Sequence, residues 1–290
     1  MVPPDAAGEA PPDFAPGLYL VATPIGNAED VTLRALRLLK AADVIACEDT
    51  RVSAKLLARH GISRPLTPYH EHNAARAGPA LMERLKRGEI VALVSDAGTP
   101  LISDPGFRLV RAAIEAGHAA TALPGASAVP VALSLSGLPN DRFLFAGFLP
   151  ARQAARRRAI GELAGVPATL VLLEAANRLP AALIDLADGL GPRPAAVARE
   201  LTKRFEEVRR GDLASLARHY AEAGPPKGEL VLVIGPPAAA EAAPTSELDR
   251  ALRLALRHMG TRDAAELVAA ASGRSRRELY ERALALGGGR

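Results

Sequence analysis

The sequence is poor in cysteine and in aromatic residues. Cys47 stands alone, which excludes an intrachain disulfide and a thiolate metal cluster, so the chain reads as a protein of a reducing, cytoplasmic setting. Tryptophan is absent and aromatics make up 3% against 49% hydrophobic residues, so the core has to be aliphatic and alanine-rich. A formal charge of +4 is too mild to demand an anionic partner. The opening MVPPDAAGEAPPDFAPG has neither a basic n-region nor an apolar h-region, and residues 1–16 read as a disordered Pro/Ala tail rather than a signal peptide. Residues 119–139 carry no charge, but Pro124, Gly125, Pro130, Gly137 and Pro139 favour a buried strand and helix over a membrane span. Neither G-x-G-x-x-G nor G-x-x-x-x-G-K-[ST] follows the first strand, which removes the Rossmann dinucleotide fingerprint and the P-loop. Around Ser127 the second glycine of a G-x-S-x-G elbow is missing, so this serine reads as a helix cap touching a ligand rather than a nucleophile.

What the chain does have is a set of strand ends with one chemistry. Residues 91–94 (VALV) run apolar without alternation between Gly88 and Gly98, the pattern of a strand buried on both faces of a parallel sheet. Ligands of open α/β sheets sit beyond the carboxyl ends of such strands. This one ends in SDAGTP (95–100), small residues around a carboxylate. The turn Ser103-Asp104-Pro105-Gly106 follows, expected as the N-terminal punctuation of a helix beginning near Phe107. The first strand (17–22) stops at TPIGN (23–27). Asp30 is expected to cap a helix with Leu33, Leu36, Leu38 and Leu39 at helical spacing, and a strand at 43–47 completes a βαβ unit. That strand ends in Glu48-Asp49-Thr50-Arg51, and a helix follows to His60. A strand at 118–123 ends in PGASA (124–128) at another helix start. Three strand ends thus permit close backbone approach of a ligand.

YHEHN (69–73) precedes a helix over 74–86. His70 and His72 would share a face if extended, but no third ligand stands at metal-site spacing, so no metal is expected. LPNDR (138–142) marks a boundary between an α/β domain over 17–138 and a second over 139–236. The second is expected to hold strands at 143–148, 169–174 and 229–234, an Arg-rich helix over 152–163, a helix over 179–190 and an exposed antiparallel strand in the alternating run 205–210. A Pro/Ala linker (236–244) leads to a basic helical extension over 245–290 with nine Arg against six Asp or Glu, patterned as helices at 248–258, 262–271 and 275–286. Arg274, Arg276 and Arg277 begin the last of these, where the helix dipole disfavours cations. That placement points to an external anion such as RNA phosphate, with packing on the body or on a dimer mate as the alternative.

TPIGN, EDTR (48–51), YHEHN, SDAGTPLISDPG (95–106), PGASA and RELTKRFEE (199–207) resemble, in this order, the motifs of the ribosomal RNA small subunit methyltransferase I family of the tetrapyrrole-methylase superfamily. The resemblance covers 17–235; the tail after Thr245 resembles the family's helical extension less specifically. It implies two α/β domains of the tetrapyrrole-methylase type with S-adenosylmethionine in the cleft between them, plus the small C-terminal helical extension. It further implies a homodimer, a partner in 16S rRNA of the small ribosomal subunit and not in DNA or a membrane, and 2′-O-methylation of a decoding-centre cytidine. By position, Pro24, Asp96, Ala97, Gly98, Ile102, Ser127 and Ala128 would line the cofactor from the first domain, with Leu173, Lys227 and Gly228 on the side of the second. A ribose hydroxyl is a poor nucleophile and gains from a base or a cation that lowers its pKa. The polar residues Glu48, Asp49, Arg51, His72, Glu200 and Lys203 are the expected catalytic set. The chain departs from the family at Glu174-Ala175-Ala176-Asn177-Arg178, where members carry Pro-His before the arginine, and at Ala28, which replaces a commoner leucine. Two other readings fit parts of the sequence. A tetrapyrrole methylase acting on carbons of an anionic macrocycle is disfavoured by EDTR, YHEHN and the basic tail, and a non-catalytic RNA-binding or ribosome-assembly module predicts RNA retention without turnover.

Overall fold

The computed structural model describes residues 14–238 and 245–287; positions 1–13 of the tail expected over 1–16 and positions 239–244 of the linker expected over 236–244 lie outside the described residues, while Ala15, inside that tail, accepts from the Tyr19 hydroxyl at 2.7 Å. Two compact units divide the chain, Met1–Pro236 and Pro237–Arg290. The first unit opens with a parallel sheet of β1 (Gly17–Val21), β2 (Val44–Cys47), β3 (Leu66–Pro68), β4 (Ile90–Val94) and β5 (Ala120–Leu123), in the order β3-β2-β4-β1-β5. Strand β4 sits in the middle, and its run of apolar residues is explained by what covers it. Side chains of a strand alternate between faces, and here Ala92 and Val94 enter one core with Leu38 and Ile45 while Val91 and Leu93 enter another with Leu81 and Leu109. The covering helices are α1 (Leu33–Ala41), α2 (Thr50–Arg59), α3 (Ala74–Lys86) and α4 (Phe107–Glu115); α5 (Ala128–Ser136) follows β5.

Three expected caps differ. Thr32, not Asp30, caps α1: its Oγ1 accepts from Ala35 N at 3.1 Å. Asp30 instead closes a short 3-10 turn, Ala28–Asp30, capped by Asn27, and extended Val31 separates it from the helix. Helix α4 does begin at Phe107, but its cap is Gly106 at φ 138°, with no side-chain bond, so the turn punctuates through the backbone. Ser127 occupies the cap position of α5 without making a capping bond.

The second sheet contains β6 (Phe143–Phe148), β7 (Thr169–Ala175), β8 (Pro194–Arg199), β9 (Glu207–Asp212) and β10 (Glu229–Ile234), in the order β6-β7-β10-β8-β9. Only β6 and β7 run parallel; β9 is the expected antiparallel edge strand, begun two residues later than its alternation suggested. Helices α6 (Gln153–Leu163), α7 (Leu179–Leu190) and α8 (Leu213–Ala223) accompany it. Asp185 of α7, fully buried, accepts from Arg156 at 2.6 Å and from Arg157 at 2.7 Å, pinning α6 to α7. Helix α5 closes the other face: Val129, Ala132 and Leu133 share one core with Val171, Ala196, Ala198, Val231 and Val233, and Ile25 joins them. A helix contributed by the first half of the chain thus completes the packing of the second.

The second unit contains α9 (Thr245–Ala255), α10 (Thr261–Ser272) and α11 (Arg276–Gly287) around Leu248, Leu252, Val268 and Leu279. The arginines near the start of α11 each have a carboxylate within the unit. Arg274 meets Glu278 at 3.5 Å, Arg276 meets Glu266 at 2.9 Å and Arg277 meets Glu281 at 3.2 Å. Their position against the dipole therefore needs no external anion. Among the described residues, no helix is long and apolar enough to cross a membrane.

Candidate active site

The ends of β1 and β4 are tied together. Thr23 N donates to Gly98 O at 2.9 Å, Gly98 N returns a bond to Thr23 O at 3.0 Å, and Thr23 Oγ1 donates to Ser95 O at 3.1 Å. Thr99 Oγ1 then donates to Ala126 O at 3.1 Å, drawing in the loop before α5. Gly98 has φ +85°, where an L side chain is strained, and a Cβ there would stand 3.2 Å from Ile25 Cγ2. Glycine is needed because the chain turns left-handed where three strand ends converge.

Beyond these ends lies a cavity of about 470 Å³, within the range of ordinary small-molecule sites. Ile25, Ile102, Val129, Phe148, Leu173 and Val231 make its wall mostly apolar, and Gly98, Gly228 and Ala97 leave backbone accessible. The two sheets contribute opposite sides. Of the ten residues expected around a cofactor, Ala97, Gly98, Ile102, Ser127, Ala128, Leu173 and Gly228 line it. Pro24, Asp96 and Lys227 do not; Ile25 takes the place next to Pro24, Asp96 turns away to accept from Asp49 N at 3.0 Å, and the Lys227 carbonyl accepts from Arg199.

None of the six expected catalytic residues lines the cavity. Asp49 caps α2, accepting from Arg51 N at 2.8 Å, and its carboxylate is gripped by the Arg51 guanidinium at 2.6 Å, which lowers its pKa to about 2. Glu48, beside it, is raised, first by burial and then by the Asp96 charge. His72 is exposed, its ring 6.1 Å from that of His70. Glu200 and Lys203 pair at 2.9 Å, and Lys203 also reaches Glu229 at 3.0 Å on the cavity rim. Their loop is bound to TPIGN, where Asn27 N donates to Thr202 Oγ1 at 3.0 Å, and Glu200 and Thr202 hold φ of 50° and 63°. Such left-handed non-glycine residues persist where surrounding structure fixes them. Thr202 thus ties this loop to the first half of the chain, while Glu200, Lys203 and Glu229 pair among themselves.

Sequence reasoning missed Asp104, which lines the cavity from the turn before α4, and Glu229 at its rim. Glu174 borders the cavity through its backbone only, since strand alternation puts its side chain on the face of Leu170 and Leu172, opposite Leu173. Glu174 is buried, and burial raises its pKa despite the Ala175 N–H, which donates to it at 2.8 Å, and the Arg178 guanidinium at 3.1 Å. Asp104 is raised to about 6, chiefly by burial, then by Glu48, with the Ser95 hydroxyl opposing and Asp96 adding. Its segment contains Leu101 at φ 73° and Ser103 at φ 64°.

Residues 17–217 match the tetrapyrrole (corrin/porphyrin) methylases, and residues 238–287 match the RsmI C-terminal HTH domain. A ribosomal RNA small subunit methyltransferase I of Mesorhizobium japonicum is 53% identical, the match spanning 93% of this chain and 92% of that one. Its namesake in Pseudomonas aeruginosa is 44% identical over 92% and 96%. Among solved structures, uroporphyrin-III-C-methyltransferase from Thermus thermophilus superposes with a TM-score of 0.55 and 26% identity, over 75% of this chain and 93% of that one. A cobalt precorrin-4 methyltransferase, at 17% identity and a TM-score of 0.53, shares the fold.

Proposed function

The chain belongs to the ribosomal RNA small subunit methyltransferase I family within the tetrapyrrole methylases, and on that premise we propose that it methylates the ribose 2′-hydroxyl of a decoding-centre cytidine in 16S rRNA, using S-adenosylmethionine. The observation that carries this reading is the second unit. Its match to the RsmI C-terminal HTH domain, and the near full-length match to the ribosomal relatives, favour an RNA substrate over a macrocycle. The apolar cavity suits the adenosine and the aliphatic chain of the cofactor. Gly98, Ala97 and Gly228 would hold it through backbone groups, with Ile25, Leu173 and Val231 against its apolar parts. When bound, S-adenosylmethionine supplies an electrophilic methyl group whose bond to sulfur breaks as the ribose oxygen bonds to carbon, the electron pair returning to sulfur.

The chain's own residues hold the reactants aligned and exclude water, the part of such a displacement that positioning can accelerate most. A homodimer in the cytoplasm, with the C-terminal helices positioning the RNA, completes the reading. The test is incubation with labelled S-adenosylmethionine and small ribosomal subunits lacking the modification, followed by mapping of the methyl group. A label on the cytidine ribose is expected. RNA binding without label transfer would assign the chain to ribosome assembly, and label transfer only in a parallel reaction offering an anionic tetrapyrrole would return it to the tetrapyrrole enzymes.

A further inference from the structure

We infer that Asp104 takes the proton from the ribose hydroxyl, standing where the apolar cavity meets a second, polar groove. The inference rests on the reading above and names a base for it. Asp104 belongs to both linings: to the cavity walled by Ile25, Leu173 and Val231, and to a groove of about 560 Å³ lined also by Tyr69, Glu71, Arg108 and Arg111. A cofactor seated in the first leaves the second as the polar approach for a nucleotide and as the exit for a proton.

One other carboxylate stands at the cavity, and it is compensated: Glu229 is held by Lys203 at 3.0 Å. The Glu174 carboxylate lies on the other face of β7, buried against Arg178 at 3.1 Å. Asp104 has no ion pair among the described residues. The backbone holds it in place: Leu101 and Ser103 are both left-handed at φ 73° and 64°, and Gly106 at φ 138° packs so closely on Leu93 and Leu101 that a side chain there would overlap them. Such conformations cost free energy and persist where a site needs them.

The groups around Asp104 tune it in one direction. Glu48 from the end of β2 and Asp96 from the end of β4 add negative charge, and burial adds most; only the Ser95 hydroxyl opposes. His70 acts on Glu48, and Glu71, Arg108 and Arg111 line the groove, with Arg111 committed to Glu115 at 2.7 Å and Arg108 4.0 Å from Glu71. A carboxyl near 6 is ionised at neutral pH yet a far better proton acceptor than an ordinary one. As the O–H bond breaks, its electron pair stays on oxygen for the bond to the methyl carbon. The proton passes to a carboxylate oxygen of Asp104 and from there to water in the groove.

The test joins two measurements on the full-length chain. In ligand-free protein labelled at aspartate Cγ, carbon NMR is expected to show one carboxyl titrating near pH 6, a signal missing from Asp104→Asn. The initial rate of subunit methylation should rise with pH along a limb that matches this titration. Asp104→Asn should lose about a hundredfold or more in turnover while its calorimetric affinity for S-adenosylmethionine changes less than about threefold, the split expected of a group acting only as the proton leaves. If Asp104→Asn does not fold, Asp104→Ser supplies the NMR assignment in its place, and the wild-type coincidence of limb and titration then decides. A wild-type limb far from that titration, or a folded Asp104→Asn with turnover within threefold of wild type, overturns the inference. Failure of wild type to methylate any subunit would sink the functional reading instead.

Discussion

Replacing Asp104 with asparagine should stabilise the protein at neutral pH, an outcome opposite to that of most changes in a half-buried position. The folded carboxyl titrates at about 6 against an ordinary 3.8, with burial the largest cause and Glu48 next. A raised folded value means that the protonated carboxyl contributes stability below about pH 4, and that this contribution is lost as pH rises through about 6. At about 1.4 kcal/mol per pH unit, the loss above pH 7 has an upper bound of roughly 3 kcal/mol. Partial exposure screens it to on the order of 1–2 kcal/mol. Asparagine keeps the shape and cannot ionise, so the variant escapes the loss. Urea unfolding of both proteins from about pH 3 to pH 8 should show a stability difference near zero at the acid end that grows between about pH 4 and pH 6 and levels off above it. A difference that stays flat with pH, or a variant less stable than wild type at pH 8, would refute the assignment of this environment to Asp104.

Gly98→Val should leave the protein folded but abolish S-adenosylmethionine binding by calorimetry, because a side chain at φ +85° is strained and a Cβ there already crowds Ile25 at 3.2 Å; unchanged affinity would put the cofactor elsewhere. Asp185→Ala should cost about 3–5 kcal/mol in urea unfolding, since it strands the buried Arg156 without a counter-charge, and a loss below 1 kcal/mol would show that the pair is dispensable. Neutralising Arg274, Arg276 and Arg277 together should change the salt slope of RNA binding by less than about one unit, because their charges are met within the unit; a flattening by two to three units would restore them as phosphate contacts.

The sheets were legible because burial on both faces leaves a plain mark. The apolar run at 91–94 could sit only in the middle of a parallel sheet, and the bounds of α7 and β10 follow directly from their periodicity. The glycine-rich strand ends were legible too, since close approach demands small residues. Polar residues at the same ends were not, for a physical reason. Asp49 capping its own helix and an aspartate facing a ligand present the same letters at the same place. What separates them is the Arg51 guanidinium, which folds back onto Asp49, and the Asp49 N–H bonded to Asp96. Asp104 was hidden by its neighbours: D-P-G reads as helix punctuation, and nothing in Leu101 or Ser103 announces the left-handed backbone that carries the carboxyl to the cavity.

The cavity itself is a product of long-range pairing. Thr23 and Gly98 exchange both backbone bonds across 75 positions, and Asn27 bonds to Thr202 across 175. Helix α5 adds a third tie, since Val129 and Leu133 bury against β8 and β10 instead of against their own sheet. The last two fix the distance between the two lining surfaces, and none of the three has a local signature. Gly26 shows how tightly they are set, because a Cβ there would strike Lys203 and the Leu201 carbonyl. Thr202 and Lys203, which meet Asn27 and Gly26, would therefore affect any reaction here through the width of the cleft, whereas Asp104 lines the cavity itself. Loosening these contacts should weaken cofactor binding and turnover together, whereas removing the base should spare binding.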